Sequence, residues 1–243
     1  PKPVDSRLIY TVAPAVARAA IDSGVAKRPV KDWEAYKAYL INRMGLDHKL
    51  MKNVTIRAKQ DPQRVLFAEA DHYKILKAAQ QARDEGVCTP VFLGDRDKIL
   101  ALIRENNLDL ENAEIIDPRS HTEDKRRNYF GDLFFENRRR KGFTLFEARK
   151  IMRERNHFGA MMLQTGEVDA LISGLTRKYP DTIRPGLQII GTLPGINRVA
   201  GMYIIVNKKG PFFFADTTIN INPTAEELVD ITLLTASAVR KFG

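Results

Sequence analysis

The chain has 243 residues, of which 44% are hydrophobic, and a formal net charge of +9. This length suits one or two domains with hydrophobic cores of their own. No apolar run is long enough to span a membrane, and residues 1–5 lack the layout of a signal peptide, so we expect a soluble cytoplasmic protein. Cys88 is the only cysteine, which excludes an intrachain disulfide and a zinc–thiolate cluster.

The basic residues are concentrated in three short runs, at 125–127, 138–141 and 208–209. Such a surplus can indicate binding to nucleic acid, to a membrane or to a small anion. No helix-turn-helix, zinc-finger or RNA-binding aromatic pattern accompanies the runs, so a phosphorylated small molecule fits better than a polymer. Nucleic-acid binding stays open as a third interpretation, although a solvated helix surface explains most of these cations. We expect neither a nucleic acid nor a membrane as partner.

Two helices are predicted before the main domain begins. The first covers residues 12–21, with Pro14 in its first turn. The second begins at Asp32, ends near Gly45 and has one apolar face that includes Trp33. Because two helices alone cannot form a stable core, they must pack against the following domain or a missing partner.

From Leu50 onward, apolar strands alternate with amphipathic helices. The predicted strands cover residues 64–70, 89–94, 114–117, 168–172, 201–206 and 211–216. The predicted helices cover residues 52–59, 72–85, 95–105, 121–141, 144–155, 157–165 and 182–190, with a last helix that opens at 223–227. Strands and helices at this spacing imply right-handed crossovers and a parallel sheet.

A candidate anion site follows the fourth predicted strand. Ser173 can donate its hydroxyl, and Gly174 lets backbone N–H groups approach an anion at the edge where open parallel sheets bind ligands. Asp181 or Thr182 is predicted to cap the next helix, which places Arg184 in its first turn. A cation there opposes the helix dipole, so we interpret Arg184 as an anion ligand; the alternative is pairing with a nearby carboxylate.

Two further candidates lie outside this segment. In the run that starts at Arg138, helical spacing allows one guanidinium to face the site and bind a phosphate, although the run by itself is better explained as solvated. Asp216 ends another strand and is equally consistent with a ligand group and with a turn cap. The histidines have no metal-ligand spacing, and no P-loop, GxGxxG or GxSxG motif occurs, so we expect no metal and no nucleotide cofactor site.

Four segments resemble the signature of the phosphate acetyl/butyryltransferases, namely residues 138–144, 169–174, 181–190 and 214–216. The resemblance runs in order from about Leu50 to Gly243. It implies an α/β fold with a three-layer, parallel-sheet phosphotransacetylase-like domain.

The implied domain boundaries follow from this match. The phosphotransacetylase-like domain would cover residues 46–192. Residues 193–243 would be the first part of a second α/β subdomain, which is only partly present. Residues 7–24 resemble the end of a bacterial malic enzyme, so residues 1–45 would be a short all-helical segment from that enzyme.

Together these resemblances imply a hybrid malic enzyme, in which an NADP-linked malate-decarboxylating half precedes a phosphotransacetylase-like half. The leading hypothesis is a regulatory and oligomerisation module that binds acetyl-CoA or another acyl-CoA or acyl phosphate, within a homo-oligomer. The alternative is a catalytically active phosphate acetyltransferase. NADP and a divalent Mg or Mn ion would belong to the parent protein, and no cofactor is expected in this fragment.

The resemblance also implies which residues bind the ligand. Arginines in the positions of Arg138 and Arg184 bind the phosphate or CoA end of the substrates, because guanidinium groups neutralise the leaving phosphate. The other implied contacts are Ser173, Gly174, Thr182 and Asp216. The family's late Ser–Arg pair and CoA-deprotonating Asp would lie past Gly243, so no catalytic residue is expected here. Residues 177–180 replace the family's small hydroxyl or His residues, which favours sensing over turnover.

Overall fold

The computed structural model describes residues 7–42, 46–110, 112–196, 198–207 and 209–242. Some positions used in the sequence analysis lie outside these described residues, namely the N-terminal residues 1–5, Gly45, Lys208 and Gly243. The chain forms two compact units, Arg57–Gly195 and the combination of Pro1–Ile56 with Ile196–Gly243. The finer division at 45/46 and 192/193 stays a prediction.

Ten helices and six strands are present in the described parts of the chain. The helices are α1 Arg7–Asp22, α2 Trp33–Asn42, α3 Leu46–Gln60, α4 Tyr73–Asp84, α5 Arg96–Glu105, α6 Asp124–Arg138, α7 Leu145–Ile151, α8 Arg155–Gln164, α9 Tyr179–Ile189 and α10 Ala225–Phe242. The strands are β1 Gln63–Phe67, β2 Cys88–Leu93, β3 Glu114–Ile116, β4 Ala170–Ile172, β5 Met202–Asn207 and β6 Gly210–Ala215. Short 3-10 turns flank α6 at His121–Glu123 and Arg139–Lys141.

The larger unit, Arg57–Gly195, contains a four-stranded parallel sheet with the order β3-β2-β1-β4. Val65 in β1 lies opposite Pro90 in β2 and Ala170 in β4, which fixes the register on both sides. The parallel sheet predicted from the spacing is therefore confirmed. The predicted strand at 64–70 ends earlier, at Phe67, and a turn over residues 68–71 follows it.

Helices cover both faces of this sheet. On one face, Leu66 and Val91 pack with Phe130 and Phe158 of α6 and α8. On the other face, Phe92 belongs to a separate core with buried residues of α4 and α5. Burying one large apolar side chain stabilises the fold by about 1.5–3 kcal/mol, so these two cores hold the layers together. The predicted three-layer α/β fold is confirmed.

The helix caps of this unit follow simple local chemistry. The Asp95 carboxylate accepts the N–H of Lys98 and begins α5, as predicted. Thr144 and Glu147 form a reciprocal capping box at the start of α7. The Cys88 thiol is buried at the start of β2, and burial raises its pKa. A buried thiol with a raised pKa forms little thiolate, so Cys88 is unreactive.

The N-terminal helices α1 and α2 of the smaller unit pack against each other. That they also pack against the following domain or a missing partner stays a prediction. The guanidinium of Arg18 lies 4.8 Å from the ring centroid of Trp33, and Leu40 is buried. The prediction that Pro14 lies in the first turn of α1 is wrong, because the helix already begins at Arg7. An internal proline removes one backbone hydrogen bond, and here the flanking turns tolerate that loss.

The C-terminal part of the smaller unit is a hairpin followed by a helix. Strands β5 and β6 are antiparallel, with Tyr203 opposite Phe214. Phe213 contacts Phe242 of α10, with ring centroids 5.6 Å apart. Thr224 and Glu227 cap the start of α10, where a helix start was predicted. Among the helices of the described residues, none is long and apolar enough to cross a bilayer.

Candidate functional site

The carboxyl ends of β1 and β4 lie side by side where the strand order reverses. The chain passes from β1 to β2 on one side, and β4 returns to the other side of β1. In open parallel sheets, ligands bind in the crevice at such a switch point. Glu69 and Asp71 follow β1, and Ser173 and Gly174 follow β4. This edge of the sheet is the candidate functional site.

Glu69 occupies the centre of this edge and is only 3% exposed. Its carboxylate accepts the N–H groups of Gly174 at 2.9 Å and Thr176 at 2.6 Å, and the Ser173 hydroxyl at 3.2 Å. Burial raises the pKa of Glu69, but these hydrogen bonds outweigh it, so the pKa lies below its ordinary value. Glu69 is thus a buried, ionised carboxylate bound by donors of its own chain.

Asn156, the second residue of α8, connects both ends of the segment between β4 and α9. Its Oδ1 lies 2.8 Å from the Ser173 hydroxyl, whose single proton is shared between this oxygen and the Glu69 carboxylate at 3.2 Å. Its Nδ2 donates to the Asp181 carbonyl at 3.3 Å, in the first turn of α9. The side-chain amide therefore links three elements at the switch point.

Asp71 forms a second carboxylate contact at this edge. The Arg155 guanidinium donates to both of its oxygens, at 2.6 and 3.0 Å, and Lys98 approaches at 3.3 Å. Arg155 lowers the pKa of Asp71 to about 2. The pair fixes the start of α8 to the loop after β1.

Three of the residues predicted to bind ligand lie together at the switch point. Gly174 has a φ of +118°, and a Cβ added there would lie 3.7 Å from Thr182 Cγ2. The Ser173 hydroxyl and the Gly174 N–H, however, donate to Glu69. The role of Ser173, Gly174 and Thr182 as ligand contacts stays a prediction.

The predicted position of Arg184 in a first helical turn is wrong. Helix α9 begins at Tyr179 after Lys178, and neither Asp181 nor Thr182 caps it. Pro180 explains the earlier start, since the missing N–H of a proline costs nothing in the first turn.

The helix dipole therefore gives no reason for an anion beside Arg184. Its side chain is 61% exposed and lies 3.9 Å from Asp181, the carboxylate pairing that was left open as the alternative. Its role as an anion ligand stays a prediction, which now depends on its exposure at this edge and on the resemblance.

The histidines divide into three environments. His72 caps α4, because its Nδ1 accepts the N–H of Lys74, and His121 is exposed. His157 is instead packed inside, 3.1 Å from Gln188 and edge-on to Phe134. Burial lowers its pKa, and the charge of Arg184 lowers it further, so the imidazole is neutral at neutral pH. The side chain of His48 lies outside the described set.

The basic runs are not uniformly solvated. Arg127 is 5% exposed and donates to the Pro118 carbonyl at 2.7 Å, so it is a structural residue. Arg138 is partly buried at the end of α6, and its Nε has no hydrogen-bond partner among the described residues. Arg139 and Arg140 are exposed, as expected for the solvated members of the run. That one arginine of the run faces the site stays a prediction. That Arg138 binds a phosphate stays a prediction.

Asp216 lies in the smaller unit and organises the loop after β6. Its carboxylate accepts the N–H groups of Gly201 at 2.8 Å and Asn220 at 2.6 Å, and that of Thr218 at 3.2 Å. Burial raises its pKa, but these donors bring it down to about 2. The contacts match the turn-cap alternative, and a ligand role for Asp216 stays a prediction.

Sequence reasoning did not identify Glu69, Asp71, Arg155 or Asn156 as part of the site. One signal was present, because Glu69 is an acid that follows a run of apolar residues, 65–68, in the predicted strand, and a buried charge requires partners. Arg155 and Asn156 carry no local signal, since their partners are distant in sequence. In the described part of the chain, no group of three acidic, His or Cys residues has a metal-binding arrangement.

Sequence comparison relates the chain to two kinds of protein. The profile of the phosphate acetyl/butaryl transferase family matches residues 49–243. An NADP-dependent malic enzyme of Haemophilus influenzae is 34% identical over 247 residues, which cover 100% of this chain and 32% of that protein. A phosphate acetyltransferase of Clostridium acetobutylicum is 38% identical over 199 residues, which cover 79% of this chain and 59% of that protein.

Structure comparison agrees with the sequence. EutD phosphotransacetylase from Staphylococcus aureus superposes with a TM-score of 0.72 and 29% identity, over 81% of this chain and 58% of that chain. The predicted phosphotransacetylase-like fold is therefore confirmed. The chain spans about a third of the malic enzyme and less than two thirds of these two transferases.

Proposed function

The chain belongs to the phosphate acetyl/butaryl transferase family, and from that premise we propose that it binds acetyl-CoA, or another acyl-CoA or acyl phosphate. We propose further that it does so as a regulatory module of an NADP-dependent malic enzyme. The observation that carries the proposal is the alignment with the malic enzyme of Haemophilus influenzae, which covers 100% of this chain. The Clostridium transferase aligns with only 79% of it.

The charge distribution at the carboxyl edge supports an anionic ligand. Arg177, Lys178 and Arg184 are all exposed at or near the start of α9. Arg177 and Arg184 each lie 3.9 Å from a carboxylate, a separation at which an exposed pair contributes little. A phosphate offers a guanidinium two hydrogen bonds and more charge, so these side chains can exchange their partners for a ligand.

A regulatory ligand acts by binding one global state more tightly than another. We propose that this module supplies such a preference to a malic-enzyme active site within a homo-oligomer. NADP and a divalent Mg or Mn ion would bind elsewhere in that parent protein. Among the described residues of this chain, no group of acidic, His or Cys side chains is arranged to hold such a metal.

The second candidate function is phosphate acetyltransfer, which the Clostridium relative favours. In that reaction a CoA thiolate attacks the acyl carbon of acetyl phosphate and phosphate leaves. His157 is a poor base for the thiol in the described structure, because its ring is largely buried against Gln188 and Phe134. The bulk of residues 177–180 also argues for ligand binding without turnover.

One pair of measurements tests the proposal. Calorimetric titration of the chain with acetyl-CoA should show saturable binding that weakens in Arg184→Ala and persists in Arg139→Ala, a control in an exposed cation. An assay with acetyl phosphate and CoA should show no acetyl-CoA formation above background. Absence of binding would remove the proposal, and clear acetyl transfer would favour the second candidate. In the parent protein, acetyl-CoA that binds but leaves malate kinetics unchanged would also contradict regulation.

A further inference from the structure

We propose that Glu69 and Asn156 are positioning residues that hold the segment 173–181 in its ligand-binding arrangement. The inference rests on the proposed function, because this segment leads from β4 into the helix that carries Arg184. Neither side chain has to touch the ligand. Both act through hydrogen bonds that determine where the backbone of the segment lies.

Glu69 acts on the first half of the segment. A carboxylate that is 3% exposed has to be compensated, and here backbone N–H groups and a hydroxyl within four consecutive residues provide the hydrogen bonds. The N–H groups of Gly174 and Thr176 therefore point into the protein and form a nest around its own anion. A ligand phosphate consequently has to bind side chains such as Arg184, not these two amides.

The segment depends on its hydrogen bonds to Glu69, because its own sequence does little to fix its backbone conformation. Gly174 has a φ of +118°, a conformation that glycine adopts freely and leaves just as freely. Without an acceptor on Glu69, the amides of Gly174 and Thr176 would have to turn toward water to be satisfied. The start of α9 would then lose its defined position relative to β4.

Asn156 acts on the second half of the segment. Its amide accepts from Ser173 and donates to the Asp181 carbonyl, so one planar group spans the whole connection. Its own backbone is held by its neighbour Arg155, whose guanidinium binds Asp71. Asn156 is therefore connected, through the backbone and Arg155, to the loop that follows β1.

The inference is tested on the full chain with two conservative variants and one control. Glu69→Gln keeps the shape of the side chain but replaces one acceptor oxygen with a donor. Asn156→Asp keeps the acceptor for Ser173 and removes the donor to Asp181. Asp109→Asn removes an exposed carboxylate paired with Arg83, far from the segment in sequence.

Two quantities are measured at a temperature where all proteins are folded, namely the affinity for acetyl-CoA and the amide exchange rates. In Glu69→Gln we expect roughly tenfold faster exchange at Gly174 and Thr176, unchanged exchange at Phe92 in β2, and roughly tenfold weaker acetyl-CoA binding. Asn156→Asp should weaken binding in the same direction. Asp109→Asn should change neither quantity.

A merely structural role gives a different result. Faster exchange at Phe92 together with the segment, or unchanged affinity in a folded Glu69→Gln protein, would overturn the inference. If Glu69→Gln does not fold, Asn156→Asp decides by the same two measurements. If the wild-type chain binds no acetyl-CoA, the proposed function fails; if it binds and both variants bind equally well, only the positioning role fails.

Discussion

The carboxylate of Asp71 accepts two hydrogen bonds from the guanidinium of Arg155, at 2.6 and 3.0 Å, with both side chains about four-fifths buried. The pair joins residues 84 positions apart and connects the loop after β1 to the first residue of α8. Because a bidentate pair of this kind needs both partners, it should govern stability at the same edge that holds the candidate site.

Replacing Arg155 should destabilise the larger unit. Arg155→Met leaves the Asp71 carboxylate largely buried with only Lys98 as a charged partner, and we expect a loss of about 2 kcal/mol in the free energy of unfolding. Urea denaturation measures the loss. Arg139→Met is the matched control, since Arg139 is exposed and its ion pair with Glu136 spans 3.5 Å; it should stay within about 0.5 kcal/mol of wild type.

The same pair predicts a pH dependence with a definite sign. The pKa of Asp71 is lowered from 3.8 to about 2 in the folded protein, so the folded state binds this proton less readily than the unfolded state. The stabilisation is therefore complete above the unfolded pKa and is lost as pH falls from about 4 toward 2. Unfolding free energies measured across this window should fall more steeply for wild type than for Asp71→Asn. Equal slopes would contradict the assignment.

Two glycines in helices should respond in opposite directions to alanine. A Cβ on Gly131 in α6 would lie 2.6 Å from the backbone Cα of Arg149 in α7, so Gly131→Ala should cost about 2 kcal/mol or more through overpacking. Gly186 in α9 has no atom within 4 Å of such a Cβ, so Gly186→Ala should gain about 0.5–1 kcal/mol. Thermal denaturation of both variants checks the pair, and a similar loss in both would show that the packing is misassigned.

The capping box of α7 gives a smaller prediction. Thr144→Ala removes the acceptor for the Glu147 N–H and should lower the free energy of unfolding by about 1 kcal/mol. Thr144→Ser keeps the hydroxyl and should recover most of that loss. The comparison is made by urea denaturation, and an unaffected Thr144→Ala protein would mean that the cap is replaced by solvent.

Helix and strand positions followed largely from local pattern. The predicted strand at 89–94 appears as β2 at Cys88–Leu93, and the helix capped by Asp95 ends at Glu105 as predicted. Local signals failed at proline. Pro14 lies inside α1, and with Pro180 in its first turn α9 begins earlier in the chain than predicted. Both differences arise because a proline is compatible with more than one helical position.

The candidate site was only partly predictable for a different reason. Ser173 and Gly174 were found because a small, polar pair follows a buried strand, a feature visible within a few residues. Glu69 binds donors 104 to 107 positions away, and no periodicity links such distant residues. The sequence also suggested that a ligand anion binds the N–H group of Gly174. In the folded chain, the carboxylate of Glu69 accepts this N–H group instead.

By itself, the sequence determined the alternation of strands and helices, the parallel sheet and, through its motifs, the resemblance to phosphate acetyl/butyryltransferases. These properties depend on side-chain periodicity and on short-range chemistry, and both can be recognised in a single sequence. Only the tertiary structure decided that β1 and β4 are neighbours, that Glu69 and Asn156 bind the segment between β4 and α9, and that Arg184 lies beyond the first turn. Such contacts arise when burial brings distant polar groups together and each must find a partner inside the fold.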